Sequence, residues 1–177
     1  PLCSDIMEIK SGFCRISADQ SKEYKSKVTK VQPSLHKSRY KTKIASIPQI
    51  GQKFIVLFGI DKYADNTIPS LENAIVDAEV VGQLFADKLG YEILVVQNAT
   101  RADIVRTLNQ LATEMAKNDS VVVYFAGHGY QNEKTGAGYW IPSDASAKDP
   151  ASWISNASVS EMLSGIPSNQ IMMISDS

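Results

Sequence analysis

Phe-Ile-Val-Leu-Phe-Gly-Ile, residues 54–60, is the stretch that decides the fold class of this 177-residue chain. It contains no polar or charged side chain, which is typical of a β-strand covered on both faces. Three further runs rich in apolar residues follow, at residues 93–96, 121–125 and 170–175. Together the four runs predict the strands of a buried, mostly parallel sheet.

Helical patterns lie between the first three runs. Apolar residues recur at helical spacing through residues 71–89, and Gly90 ends that pattern. Thr100, with Asp103 three residues later, predicts the N-terminus of a second helix. We expect the inward face of the second helix to consist of Ile104, Leu108, Leu111 and Met115.

A third, short helix is indicated before the last run. Ser158 and Glu161 have the spacing of a capping box, and Pro167 limits the helix that would follow. Strands alternating with helices predict an α/β fold, a three-layer sandwich in which a mostly parallel sheet carries helices on both faces. In such sheets, the functional residues gather beyond the carboxyl ends of the strands.

Polar residues follow two of these predicted strands. His128 comes directly after the third strand, between Gly127 and Gly129, and Asp176 ends the fourth strand. Flanking glycines let a backbone approach a ligand and expose its amide groups, as an oxyanion site requires. If the two strands are neighbours, their carboxyl ends bring His128 and Asp176 to the same sheet edge.

Several short segments, in this order and at this spacing, carry a family resemblance. They are Phe58-Gly59-Ile60-Asp61-Lys62-Tyr63, Leu71-Glu72-Asn73-Ala74-Ile75-Val76-Asp77-Ala78, Asn98-Ala99-Thr100-Arg101, Tyr124-Phe125-Ala126-Gly127-His128-Gly129, Gly138-Tyr139-Trp140-Ile141-Pro142-Ser143-Asp144-Ala145 and Ile174-Ser175-Asp176-Ser177. Residues 53–177 therefore resemble the large-subunit region of the caspase-like cysteine peptidases, of the metacaspase or bacterial orthocaspase type.

The resemblance implies a catalytic dyad. The family pattern puts a cysteine immediately after Ser177, about 50 residues beyond His128, so we expect the chain to stop just before its nucleophile. In this family His128 would be the general base and acid. The backbone amide of Gly129 would share the oxyanion hole with the amide of the cysteine.

It also implies a substrate class. In metacaspase-like enzymes, residues matching Asp77 and Asp176 hold the Arg or Lys side chain that precedes the scissile bond. We therefore expect a protein or peptide substrate, and autoprocessing after a basic residue such as Lys43 or Lys134. The resemblance further implies a small-subunit segment that completes the sheet beside the fourth strand.

Other classes of function remain as alternatives. If the residue after Ser177 is not cysteine, the chain is an inactive caspase-like module that binds a protein partner. A serine hydrolase is disfavoured, because Asp176 and Ser177 are adjacent on a strand and no G-x-S-x-G motif is present. A receiver-like domain is disfavoured, because the first strand lacks the acidic pair of a phospho-acceptor site.

No metal or cofactor is expected. Cys3 and Cys14 lie far from the two histidines, His36 and His128, so no metal-ligand spacing appears. Residues 131–136 contain one carboxylate, too few for calcium, and no phosphate-binding glycine motif is present.

The net charge of the chain changes from positive to negative at the predicted domain boundary. Residues 1–53 carry 11 Lys/Arg and 4 Asp/Glu, whereas the remainder carries 7 and 15. We interpret residues 1–52 as a basic N-terminal extension or linker, and 53–177 as the catalytic domain. Nucleic acid is not an expected partner, because the basic residues are scattered among Ser, Thr and Gln.

No apolar run is long enough to span a membrane. The localisation of the protein stays open, with the cytoplasm favoured.

Overall fold

The computed structural model of the protein describes residues 49–177. The predictions for Cys3, Cys14, His36 and Lys43 lie outside these residues, and the division between residues 1–52 and 53–177 stays a prediction. In chain order the elements are β1 Lys53–Gly59, α1 Ala74–Leu89, β2 Glu92–Gln97, α2 Arg101–Glu114, β3 Ser120–Ala126, β4 Gly129–Gln131, β5 Gly138–Trp140, a 3-10 turn Pro150–Ser152, β6 Ile154–Ser155, α3 Asn156–Ser164 and β7 Gln170–Asp176.

A parallel sheet with the strand order β2-β1-β3-β7 forms the middle layer. All three pairings are parallel, with Lys53 opposite Ser120 and Ser120 opposite Gln170. The two central strands are the most apolar, and β3 is buried along its whole length. The α/β class and the parallel sheet expected from the apolar runs are therefore confirmed.

Helices cover both faces of this sheet. On one face, alternate residues of β1 and β3 such as Ile55 and Tyr124 pack against α1. On the other face, Val56, Phe58 and Phe125 pack against α2 and α3. Successive residues of each central strand thus enter opposite cores, and the three-layer sandwich is confirmed.

Helix α1 approaches the sheet through small residues. Ala74, Ala78 and Gly82 are buried against it, and a Cβ at Gly82 would lie 3.1 Å from side-chain atoms of Leu57 and Ile93. Gly90 ends the helix in the left-handed conformation, φ 70°, as predicted. Leu84 and Leu89, two of the apolar residues at helical spacing, are about half exposed, so the apolar pattern extends beyond the buried face of the helix.

The N-terminus of α2 is confirmed and that of α3 is corrected. Thr100 and Asp103 form a reciprocal capping box, and the four predicted inward residues of α2 are buried. Helix α3, however, begins at Asn156, with Ser155 as its N-cap rather than Ser158. The Ser155 hydroxyl accepts the Ser158 N–H at 3.0 Å, so Ser158 occupies the third helical position.

A second, antiparallel sheet was not predicted. Its order is β4-β5-β6, with Gly129 opposite Trp140 and Tyr139 opposite Ser155. Trp140 stacks on Phe125 with ring centroids 4.4 Å apart, which fixes this small sheet beside the end of β3. Within residues 49–177, no helix is both long and apolar enough to cross a membrane.

Candidate active site

His128 lies where two neighbouring strands of the parallel sheet end. Ala126, the last residue of β3, is paired with Asp176, the last residue of β7. The next amide, of Gly127, donates to the Asp176 carbonyl at 3.3 Å. The structure therefore brings the His128 turn and residues 176–177 to the same sheet edge.

A backbone carbonyl orients the His128 ring. Nε2 of His128 lies 2.7 Å from the carbonyl oxygen of Pro69, in the loop between β1 and α1. A carbonyl can only accept a hydrogen bond, so Nε2 is the nitrogen that carries the proton. In the neutral ring the basic lone pair is then on Nδ1.

Tyr63 contacts His128 through both its hydroxyl group and its ring. Its hydroxyl accepts the His128 backbone N–H at 2.9 Å and donates to the Ile60 carbonyl at 3.5 Å. The two rings are in contact, with centroids 5.1 Å apart. Burial raises the pKa of Tyr63 to about 12, so its hydroxyl stays neutral and can fill both roles.

Gly129 packs directly against Ser177. A Cβ at Gly129 would lie 2.8 Å from the Ser177 hydroxyl oxygen and 3.0 Å from its Cβ. The Ile141 amide donates to the His128 carbonyl at 3.0 Å, whereas the His128 amide donates to Tyr63. In an antiparallel ladder the next pair, Gly129 and Trp140, directs its amides away from the partner strand.

The two predicted acidic residues come together around Tyr124. The Tyr124 hydroxyl donates to Oδ2 of Asp176 at 3.3 Å. Burial raises the pKa of Tyr124 to about 12, and the negative charges of Asp176 and, more weakly, Asp77 act in the same direction. Asp77 on α1 and Asp176 on β7 therefore act on one tyrosine, although they are 99 residues apart in sequence.

Tyr63, Pro69 and Tyr124 were not singled out from the sequence as site residues. Tyr63 and Tyr124 stand inside the motif segments and could have been found there. The Pro69 contribution has no sequence signal, because any residue can supply a carbonyl. Among residues 49–177, no group of three or more His, Cys, Asp or Glu side chains is gathered that could hold a metal ion.

Comparisons with known proteins identify the family and the fold. A sequence model of the caspase domain matches residues 52–177. A structural-genomics protein from Geobacter sulfurreducens has the same fold, with a TM-score of 0.59 and 18% identity over 71% of this chain. This chain covers half the length of that protein, and no curated protein matches. The chain belongs to the caspase domain family.

Proposed function

We propose that the protein is a cysteine endopeptidase that cleaves after Arg or Lys, using His128 and a cysteine that follows Ser177. One observation carries the proposal: the His128–Gly129 turn adjoins residues 176–177, at the carboxyl ends of paired parallel strands. A residue that follows Ser177 would begin within a few ångströms of the turn that bears the imidazole.

The hydrogen bond to Pro69 supports the role of His128. With Nε2 donating to that carbonyl, Nδ1 is the nitrogen that would accept the thiol proton. The thiolate then attacks the scissile carbonyl carbon, forming an S–C bond. As the C–N bond breaks, the imidazolium returns the proton to the leaving amine. Water hydrolyses the acyl-enzyme, with His128 as general base.

The Gly129 amide supports the oxyanion part of the proposal. It points out of the β4–β5 ladder, and the absence of a side chain lets the turn lie against Ser177. The amide of the residue after Ser177 would be the second donor. Two such donors stabilise the negative charge that develops on the carbonyl oxygen of the substrate.

Specificity for a basic residue rests on Asp77 and Asp176. Both act on Tyr124, and Asp176 ends the strand that is paired with the one leading to His128. Within residues 49–177, an ion pair joins Arg106 to Asp103, and it includes neither Asp77 nor Asp176. An incoming guanidinium or ammonium group would supply the cation for this carboxylate pair.

Strand β7 supports a small-subunit partner. It is an edge of the described sheet, and Met172 and Met173 on its opposite faces are 55% and 40% exposed. An exposed apolar edge strand is a site for pairing with a further strand. We propose that residues of a small-subunit segment continue the sheet there.

The test is a peptide panel on the full-length protein. We expect fluorogenic peptides with Arg or Lys before the scissile bond to be cleaved, and the Asp peptide to be left intact. His128→Asn lowers kcat/KM by about a thousandfold, and His36→Asn, which changes the other histidine of the chain, serves as the matched control. Cleavage after Asp overturns the specificity, and silence on all peptides favours the inactive partner-binding module.

A further inference from the structure

The loop that carries Pro69 has no strand or helix of its own. It runs through residues 60–73, between β1 and α1, and its carbonyl at Pro69 orients the His128 ring. The position of that carbonyl therefore depends on whatever fixes the loop. Backbone bonds hold its two ends, from Leu71 to the Asp61 carbonyl at 2.8 Å and from Ala64 to the Ser143 carbonyl at 2.7 Å.

The Asp65 carboxylate fixes the middle of this loop. Oδ1 accepts the Thr67 backbone N–H at 2.9 Å and the Thr67 hydroxyl at 2.6 Å. Oδ2 reaches a second loop, where it accepts the Ala147 N–H at 2.9 Å and the Ser146 hydroxyl at 3.3 Å. The Asp65 carbonyl also accepts the amide of Ile68, the residue before Pro69, at 2.9 Å.

The second loop, which contains Ser146 and Ala147, contacts the β4–β5 hairpin that carries Gly129. The Ser146 carbonyl accepts the Trp153 indole N–H at 2.8 Å. The Trp153 ring lies 4.9 Å from that of Tyr130, centroid to centroid, and Tyr130 is the residue after Gly129. Asp65 thus links the loop that orients His128 to the strand that carries the Gly129 amide.

We propose that Asp65 is a positioning residue, which sets the place of the Pro69 carbonyl and thereby the orientation of the His128 imidazole. This inference rests on the proposed function for its catalytic consequence. Asp65 acts through the loop, because its carboxylate accepts hydrogen bonds from Thr67, Ser146 and Ala147. The four donors, the Thr67 hydroxyl foremost, lower the pKa of Asp65 to about 2, and the carboxylate keeps its charge throughout the neutral range.

Asp103 provides a matched control. It is a partly exposed carboxylate, as Asp65 is, and it likewise accepts a threonine hydroxyl, that of Thr100, at 2.6 Å and a backbone N–H at 3.1 Å. Its hydrogen bonds cap α2 and do not involve the Pro69 loop. Asp103→Ala therefore removes similar hydrogen bonds, and its effect measures what a merely structural loss does to activity.

Kinetics on the full-length protein give the first readout. Asp65→Ala lowers kcat by about tenfold or more, because displacement of a catalytic group by about 1 Å is enough for such losses, while KM changes less than about twofold. Thr67→Val, a milder variant that keeps the carboxylate, lowers kcat by a smaller factor. Asp103→Ala leaves both constants within about twofold of the parent.

A second readout does not need activity. In 15N-labelled full-length protein, we expect the Nε2–H proton of His128, which is hydrogen-bonded to the Pro69 carbonyl, to give an observable resonance, and His128→Asn assigns this resonance by removing it. Asp65→Ala abolishes this resonance and Asp103→Ala retains it. If Asp65→Ala keeps both kcat and the resonance, the positioning role is wrong. If the parent protein cleaves no peptide, the proposed function fails. The positioning role of Asp65 then stands if Asp65→Ala abolishes the resonance and is wrong if the resonance is retained.

Discussion

Tyr124 is the residue that contacts the proposed specificity carboxylate of Asp176. Because its hydroxyl donates to Asp176, we expect Tyr124→Phe to raise KM for Arg and Lys peptides about threefold to tenfold, with kcat little changed. Asp176→Asn removes the charge as well and lowers kcat/KM by about a hundredfold. Steady-state kinetics on both peptides measure these effects. Tyr91→Phe removes a comparable tyrosine hydrogen bond, to Ser120 at 2.8 Å, and an equal rise in KM there would contradict the assignment.

Substitution of Gly129 tests how closely the His128–Gly129 turn must approach the end of β7. Gly129→Ala puts a methyl group within 3.0 Å of the Ser177 side chain, so either the turn or Ser177, the residue after β7, has to move. We expect kcat to fall by about tenfold or more, with a melting temperature close to that of the parent. Gly165→Ala, where the nearest atom to the added Cβ is 3.3 Å away, is the matched glycine control. An unchanged kcat in Gly129→Ala would remove the oxyanion turn from the mechanism.

The sequence could predict the location of His128 and Asp176, since both follow apolar strands and parallel strands end at one edge. It could not predict the Pro69 contact, which depends on the path of a loop and on a carbonyl that every residue possesses. The same holds for Asp65: its four donors come from residues two and about 80 positions away. Long-range hydrogen bonds of this kind have no periodic signal.

Among the elements, the long strands and helices were predictable and the small sheet was not. Strands β4 and β5 have three residues each and β6 has two, too short for an alternating pattern to be recognised. Ser155 was missed as the cap of α3 because Ser155 and Ser158 are both serines with a plausible partner three residues on. Only the hydrogen bond at 3.0 Å identifies Ser155.

The β4–β5 hairpin bears on the candidate processing site at Lys134. The Asn132 side chain accepts the backbone amides of Lys134 and Thr135 at 3.0 and 3.1 Å, which holds Lys134 in a tight turn. Peptidases bind extended chains, so we expect no self-cleavage after Lys134, and Lys134→Ala leaves the fragment pattern unchanged in mass spectrometry. Asn132→Ala loosens the turn and exposes Lys134 to cleavage. A fragment beginning at Thr135 in the parent protein would contradict this.

For the molecule as a whole, we expect two buried tyrosines to reduce the stability of the fold at alkaline pH. The pKa values of Tyr63 and Tyr124 are raised from 10.0 to about 12, so folding favours their neutral forms. Their contribution is complete below about pH 10 and is lost as the pH rises through about 12. We expect the free energy of unfolding in urea to fall across this window, and less steeply in the Tyr63→Phe, Tyr124→Phe double variant. Tyr130→Phe, at a 46% exposed position, should retain the full slope.

The oxidation rates of two methionines on β7 test whether a further strand pairs with this edge of the sheet. Met172 and Met173 point to opposite faces of β7 and are 55% and 40% exposed, whereas Met115 is 7% exposed. If a small-subunit strand pairs with β7 and its flanking elements cover both faces, both methionines become buried. We expect hydrogen peroxide to oxidise them at least about tenfold more slowly in the full-length protein than in the 177-residue chain. Met115, buried in either form, is the internal reference. Equal oxidation rates would mean that β7 remains an open edge and that the partner binds elsewhere.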